Sequence, residues 1–159
     1  MVDELKKRGI RVGGIVTLEI RKAGTRTGFK IIDIESGREA PLATASTAPG
    51  PRVGKYLVHV ENMDTMAVEA ISKALEQGDV IVIDEIGPME LKSQKFINTV
   101  EKVLASEKPL LATIHYRLKH PLLDHIRSRR DAEIIEVTER NRDTLPAQIT
   151  EKIMASLLK

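Results

Sequence analysis

Val80-Ile81-Val82-Ile83-Asp84-Glu85-Ile86-Gly87-Pro88-Met89-Glu90 is the stretch on which the fold turns. Its first four residues form an unbroken apolar run, the pattern of a strand covered on both faces. The run stops in two adjacent carboxylates, and Gly-Pro follows after Ile86. Helical stripes flank it. Upstream, Met63, Ala67, Ala70, Ile71, Ala74 and Leu75 recur at helical spacing, with Asn62 or Asp64 as the expected cap and Gly78 as the stop. Downstream, Phe96, Ile97, Val100, Val103 and Leu104 form a second stripe, capped by Ser93. Leu110–Ile114 is another apolar strand, residues 121–129 a short helix and residues 132–137 a further strand. The last helix starts near Pro146, a good first-turn residue, and buries Ile149, Ile153, Met154, Leu157 and Leu158. Strands alternating with helices predict an α/β fold, a mostly parallel sheet with flanking helices.

The first third of the chain has a different rhythm. Residues 2–8 read as the end of a helix, with Lys6, Lys7 and Arg8 placed for a C-terminus and Gly9 as the residue beyond it. Residues 10–20 read as a strand region interrupted by Gly13-Gly14. A turn at residues 24–28, a strand at 29–34 and a turn at 35–38 complete a small antiparallel hairpin unit. Residues 44–55 are rich in Thr, Ala, Pro and Gly and predict a loop, and residues 56–60 a short strand. No repeat, low-complexity stretch or linker divides the chain, so residues 1–159 are expected to form a single domain.

Composition narrows the function classes. The chain has 159 residues, 42% of them hydrophobic and 30% charged. A domain of that size buries about 70% of its unfolded surface. No apolar run approaches the roughly 20 residues of a membrane span. The absence of cysteine excludes disulfides, Cys-ligated zinc and thiol catalysis, and fits a reducing, cytoplasmic setting. The opening Met-Val-Asp-Glu-Leu-Lys-Lys-Arg is too charged for a secretory signal. A net charge of +2 and only four aromatic residues argue against a nucleic-acid partner.

The candidate chemistry sits at the end of the apolar run. In parallel α/β sheets the ligand crevice lies beyond the carboxyl ends of the strands, where Asp84 and Glu85 stand. A carboxylate there can hold Mg²⁺, so Asp84 is the candidate metal ligand. Its neighbour Glu85 can orient or deprotonate an attacking water. Together they make a Walker B pattern with an adjacent glutamate; the plainer alternative is a strand end meeting solvent. The phosphate loop that normally accompanies this pattern, G-x-x-x-x-G-K-[ST], has no match here. Gly50-Pro51-Arg52-Val53-Gly54-Lys55 comes nearest and fails. Three residues separate its glycines, Tyr56 follows the lysine, and Pro51 has no N–H for a phosphate. At the end of the next strand, His115 is either a sensor of a terminal phosphate or a solvent-facing histidine. Arg127, Arg129 and Arg130 form either a phosphate clamp or a solvated basic face. Residues 140–143 either line the base or ribose side of a site or open the last helix.

Taken together, these segments resemble a known family: the small P-loop nucleoside-triphosphatases of thermophilic archaea and bacteria, whose human relative is the cancer-related nucleoside-triphosphatase. The match rests on Arg11-Val-Gly-Gly14, Gly28-Phe-Lys-Ile-Ile-Asp33, Arg52-Val-Gly-Lys-Tyr56, Val80 through Leu91, Ala112-Thr-Ile-His-Tyr-Arg117 and Val137-Thr-Glu-Arg-Asn-Arg-Asp143. It spans nearly the whole chain, and Asp-Glu-Ile-Gly-Pro-Met-Glu-Leu is its most specific piece. The resemblance implies a P-loop fold related to RecA-like ATPases and nucleotide kinases. It implies Mg²⁺-dependent hydrolysis of nucleoside triphosphates (ATP, GTP, CTP, UTP). By position it assigns Val80, Ile81, Val82, Ile83, Asp84, Glu85, Ile86 and Gly87 to nucleotide binding, Asp84 to Mg²⁺ and Glu85 to water activation. His115 and Asn141 match recurring family positions, His115 as a catalytic candidate and Asn141 as a nucleotide-binding one. Family members open with a strand, a Gly-rich loop carrying Lys-Thr and a helix running into the equivalent of residues 2–8. The present sequence starts inside that helix, roughly 20 residues short of the pattern. The expectation is therefore a nucleoside-triphosphatase whose activity belongs to the chain with that segment in front. Two alternatives stand beside it: a nucleotide or polynucleotide kinase-like phosphotransferase, and a non-catalytic interaction domain.

Overall fold

The structure, a computed structural model, describes all of residues 1–159. Helix α1 (Val2–Lys7) ends as its cations predict, and Gly9 takes the left-handed conformation at φ +81°. Strand β1 (Val12–Lys22) follows and runs straight through the Gly13-Gly14 pair. It pairs antiparallel with β2 (Thr25–Asp33), which pairs with β3 (Glu39–Ala45). Two short strands, β4 (Arg52–Val53) and β5 (Tyr56–Val58), close a hairpin that docks on β3. The loop expected at residues 44–55 thus contains the short strand β4, and the strand expected at 56–60 is β5.

The chain then enters a continuous helical run. It comprises α2 (Val60–Asn62), a π-helical turn (Met63–Ala67) and α3 (Val68–Gln77), and it stops at Gly78. Neither Asn62 nor Asp64 caps it. His59 occupies the N-cap without a side-chain bond, Asn62 donates to the Pro41 carbonyl, and Asp64 accepts from the Ser93 hydroxyl at 2.5 Å. Strand β6 (Val80–Ile86) returns parallel to β1. Helix α4 (Gln94–Leu104) starts at Ser93, whose hydroxyl accepts from the Phe96 N–H as expected. Strand β7 (Leu110–Ile114) lies parallel to β6 at the end of the sheet. Helices α5 (Pro121–Ser128) and α6 (Leu145–Leu157) complete the chain.

The seven strands form one sheet in the order β4-β5-β3-β2-β1-β6-β7. The α/β class and the flanking helices agree with the sequence pattern, but the sheet is mixed. Only β1–β6 and β6–β7 are parallel, and the antiparallel unit grows from a hairpin to five strands. The strand expected at residues 132–137 does not form. The free edge of β7 stays unpaired, residues 132–137 join no strand of the sheet, and most of them are exposed. Leu158 lies past the end of α6 and is exposed, not buried.

The apolar run of β6 explains itself in the packing. Ile81 and Ile83 join the large core with Ile15, Ile71, Phe96 and Val100. Val80 and Val82 face the opposite core with Leu5, Val12 and Ile153. Side chains alternate along a strand, so both faces must be apolar when helices cover both. Each such side chain contributes about 1.5–3 kcal/mol on burial. Asp84 is the first residue of the strand to leave this cover. No helix is long and apolar enough to cross a membrane.

Candidate active site

The end of β6 is not a simple strand end. β6 and β7 pair in step through Ile83↔Ala112, and the next pair is Ile86↔Ile114. Two residues of β6, Asp84 and Glu85, therefore oppose the single residue Thr113. That is a bulge, which breaks strict alternation and re-aims the side chains it carries. The peptide between Asp84 and Glu85 is cis.

Both neighbouring strands grip Asp84. The Thr113 hydroxyl of β7 donates to Asp84 Oδ1 at 2.7 Å. The Thr17 hydroxyl of β1 donates to the Asp84 carbonyl at 3.1 Å. One carboxylate oxygen is thereby fixed, and Oδ2 faces no protein donor. The chemistry suits a hard divalent cation such as Mg²⁺, which takes one or two carboxylates and fills its remaining positions with water and phosphate oxygens. No group of three or more acidic or histidine side chains gathers into a full protein cage.

Glu85 is half-buried beside the turn at Gly87. A Cβ added to Gly87 would lie 2.9 Å from Glu85 Oε1 and 3.3 Å from Glu90 Oε1. The two carboxyl groups thus converge on the space that Gly87 leaves free. Glu90 is only 1% exposed, and its Oε2 has no hydrogen-bond partner. Burial first, and the Glu85 charge second, push its carboxyl up to about 8; the Gly87 and Glu90 backbone N–H groups pull the other way. At neutral pH Glu90 is a neutral acid beside Glu85. Only the back-folding of the Pro88-Met89 turn, with the Leu91 N–H bonded to the Gly87 carbonyl at 3.1 Å, brings it there. The sequence marks it as part of the most specific family piece, but nothing in the spacing says that it is buried.

Glu90 makes stability depend on pH in a definite direction. Its folded value lies above its unfolded value of 4.5, so between there and about 8 the folded state keeps a proton that the unfolded state has lost. Stability conferred by the neutral form is complete below the lower value and declines as pH rises through the window. Urea unfolding at pH 5 and pH 9 is expected to show a decline of roughly 2–4 kcal/mol that Glu90→Gln removes. Parallel profiles for the two proteins would sink this assignment.

The other candidate residues are placed differently. His115 is exposed just past β7, and its backbone N–H is bonded to the Ile86 carbonyl at 3.4 Å. Thr113, two residues earlier, is the side chain that meets Asp84. Asn141 closes its own loop: its Oδ1 accepts from the Thr138 N–H at 2.8 Å, and its Nδ2 donates to the Glu136 carbonyl at 2.9 Å. Its side chain makes no hydrogen bond to Asp84 or Glu85. Arg129 is spent on a two-pronged pair with Asp131, at 2.9 and 2.7 Å. Arg127 donates to the carbonyls of His115 and Leu118 at 3.2 and 3.4 Å, so it pins the turn after β7. Residues 80–83 supply the buried strand beneath the carboxylates.

A family model described as NTPase matches residues 1–150. The chain belongs to the NTPase family. Among its relatives, the nucleoside-triphosphatase THEP1 of Thermofilum pendens is 50% identical over 97% of this chain and 85% of its own length. The protein of the same name from Methanocaldococcus jannaschii is 43% identical over 99% of this chain and 88% of its own. Two solved structures share the architecture. The crystal structure of THEP1 from Aquifex aeolicus superposes with a TM-score of 0.82 at 33% identity, covering 99% of this chain and 91% of that one. The solution structure of a human cancer-related nucleoside triphosphatase gives 0.82 at 35% identity, covering 97% and 87%. The mixed sheet with its flanking helices is therefore the fold of the family, and the bulged end of β6 lies within the matched region.

Proposed function

We propose that this chain is a nucleoside-triphosphatase that hydrolyses the terminal phosphoanhydride of nucleoside triphosphates, ATP, GTP, CTP and UTP among them, to the diphosphate and phosphate. The observation that carries this reading is the pair at the bulge: Asp84 clamped by Thr113 and Thr17, with Glu85 beside it. In this reading residues 80–87 are a Walker B segment, and residues 1–159 act as one domain in the cytoplasm. Asp84 would hold Mg²⁺ through its free oxygen, and the ion would supply charge neutralisation on the phosphates. Thr113 keeps the Asp84 carboxylate in one orientation and leaves its second oxygen without a protein partner. Glu85 accepts a proton from the water that attacks the terminal phosphorus. Neutral Glu90 behind it adds no second negative charge, and the missing Cβ of Gly87 leaves the Glu85 carboxylate its place. His115 and Asn141 belong to the nucleotide-facing end in the same reading, His115 near the terminal phosphate and Asn141 on the base or ribose side.

An adjacent glutamate favours water over an alcohol as acceptor, and so hydrolysis over phosphotransfer. The test is product analysis with γ-labelled ATP and Mg²⁺, on the protein purified from its own cells. The expected result is free phosphate without any added acceptor. Label transferred only when a nucleotide or polynucleotide acceptor is present would replace this reading by a kinase. Absence of both activities and of nucleotide binding would leave an interaction domain.

A further inference from the structure

A cavity lies past the carboxyl end of β7, not over Asp84. It measures about 580 Å³ and is lined by Tyr116, Arg117, Leu118, Lys119, Asp124 and Arg127. Its charge sets it apart from a second hollow, about 470 Å³, where Arg38 and Lys73 stand among Asp33, Glu69 and Glu76. There Arg38 reaches Glu69 at 3.5 Å and Lys73 reaches Glu35 at 3.7 Å, so the cations are already answered. Past β7 three cations face one carboxylate. Arg127 is 3.8 Å from Asp124, while Arg117 and Lys119 have no carboxylate within ion-pair distance. Tyr116 is 69% exposed, and the Arg117 guanidinium sits 5.9 Å from its ring centroid. The pocket is also pre-formed, because Arg127 holds the carbonyls of His115 and Leu118 on either side of the turn.

We propose that this cavity is a binding site for an oligophosphate, held by Arg117 and Lys119 and braced by Arg127. Adjacent phosphates carry closely spaced negative charge, which two unpaired cations on one short turn can answer together. Arg127 already fixes the backbone of the turn, so the ordering cost of binding falls on the two side chains alone. The site begins three residues after Thr113, on the same end of the sheet as Asp84. Two sources of the ligand share this chemistry: the phosphate tail of the nucleotide, or a second phosphorylated molecule. The inference goes beyond hydrolysis, since it rests on the cavity and its charges and not on Glu85.

The experiment is calorimetric titration of tripolyphosphate into the full chain, without metal and at fixed ionic strength. Arg117→Gln with Lys119→Gln is expected to weaken binding roughly tenfold or more. Lys7→Gln with Lys22→Gln, exposed residues that remove the same charge elsewhere, is expected to change it less than twofold, as roughly the share owed to net charge. Equal affinity of wild type and the Arg117/Lys119 variant would overturn the proposal, and so would equal losses in the two variants. All the substituted residues are exposed, and matching thermal melts check that folding is intact. Competition separates the sources. Displacement of tripolyphosphate by ATP identifies the nucleotide tail, and simultaneous binding of both identifies a second molecule. Loss of hydrolysis in Glu85→Gln with tripolyphosphate binding intact would leave the two readings independent.

Discussion

Glu85→Gln is expected to lower the turnover number roughly a hundred- to ten-thousand-fold, with nucleotide affinity changed less than about threefold. Glutamine keeps the size and polarity of the side chain but cannot take a proton. Asp84, its clamp to Thr113 and the bulge are untouched by the change, so the binding proposed for Asp84 is expected to persist. Glu85 differs from its neighbour in this respect. Asp84→Asn removes the charge proposed to hold the cation and is expected to raise the Mg²⁺ requirement as well as slow turnover. Steady-state phosphate release and a separate titration with a fluorescent nucleotide, both on the full native protein, check the split. Turnover within a few-fold of wild type, with nucleotide still bound, would remove Glu85 from the role of base.

The largest expected loss of stability comes from Gly14→Ala. Gly14 lies in β1 beside Val82 of β6, in the parallel pairing that carries the site. Its φ is +116°, and an added Cβ would stand 1.9 Å from the Val82 carbonyl oxygen and 2.9 Å from its carbon. Those atoms are backbone, so no rotamer change relieves the clash. β1 and β6 must separate, which breaks the ladder and moves Asp84 two residues further on. The expected cost is about 3–5 kcal/mol or more, a fall of roughly 10 °C in Tm. Gly37→Ala is the internal reference. Its φ is +76°, but nothing lies within 4 Å of the added atom, so only the left-handed strain of about 1 kcal/mol applies. Thermal unfolding of both variants checks the contrast. A Gly14→Ala melt as mild as that of Gly37→Ala would show that the strands can part without cost.

The same glycine pair marks where sequence reading stops. Gly13-Gly14 looks like a break in a strand, because two residues without side chains contribute nothing to an apolar pattern. In the structure they let β1 approach its neighbours. Gly13 faces Ala74 of α3, whose Cβ would lie 2.7 Å from an added Cβ, and Gly14 faces Val82. Neither partner is near in sequence.

Residues 80–90 reveal the division most clearly. Local pattern alone determined that 80–83 form a strand covered on both faces, that its end carries two carboxylates, and that helices capped or stopped by Ser93 and Gly78 flank it. These follow from residue spacing and from bonds within a few residues, which act wherever the chain lies. The tertiary structure decided everything that needs a partner from elsewhere. Thr113 meets Asp84, because a bulge sets two residues of β6 against one of β7. Glu90 is buried because a turn folds it behind Glu85. Residues 132–137 have the composition of a strand and are not one, because a strand exists only where a neighbour completes its hydrogen bonds.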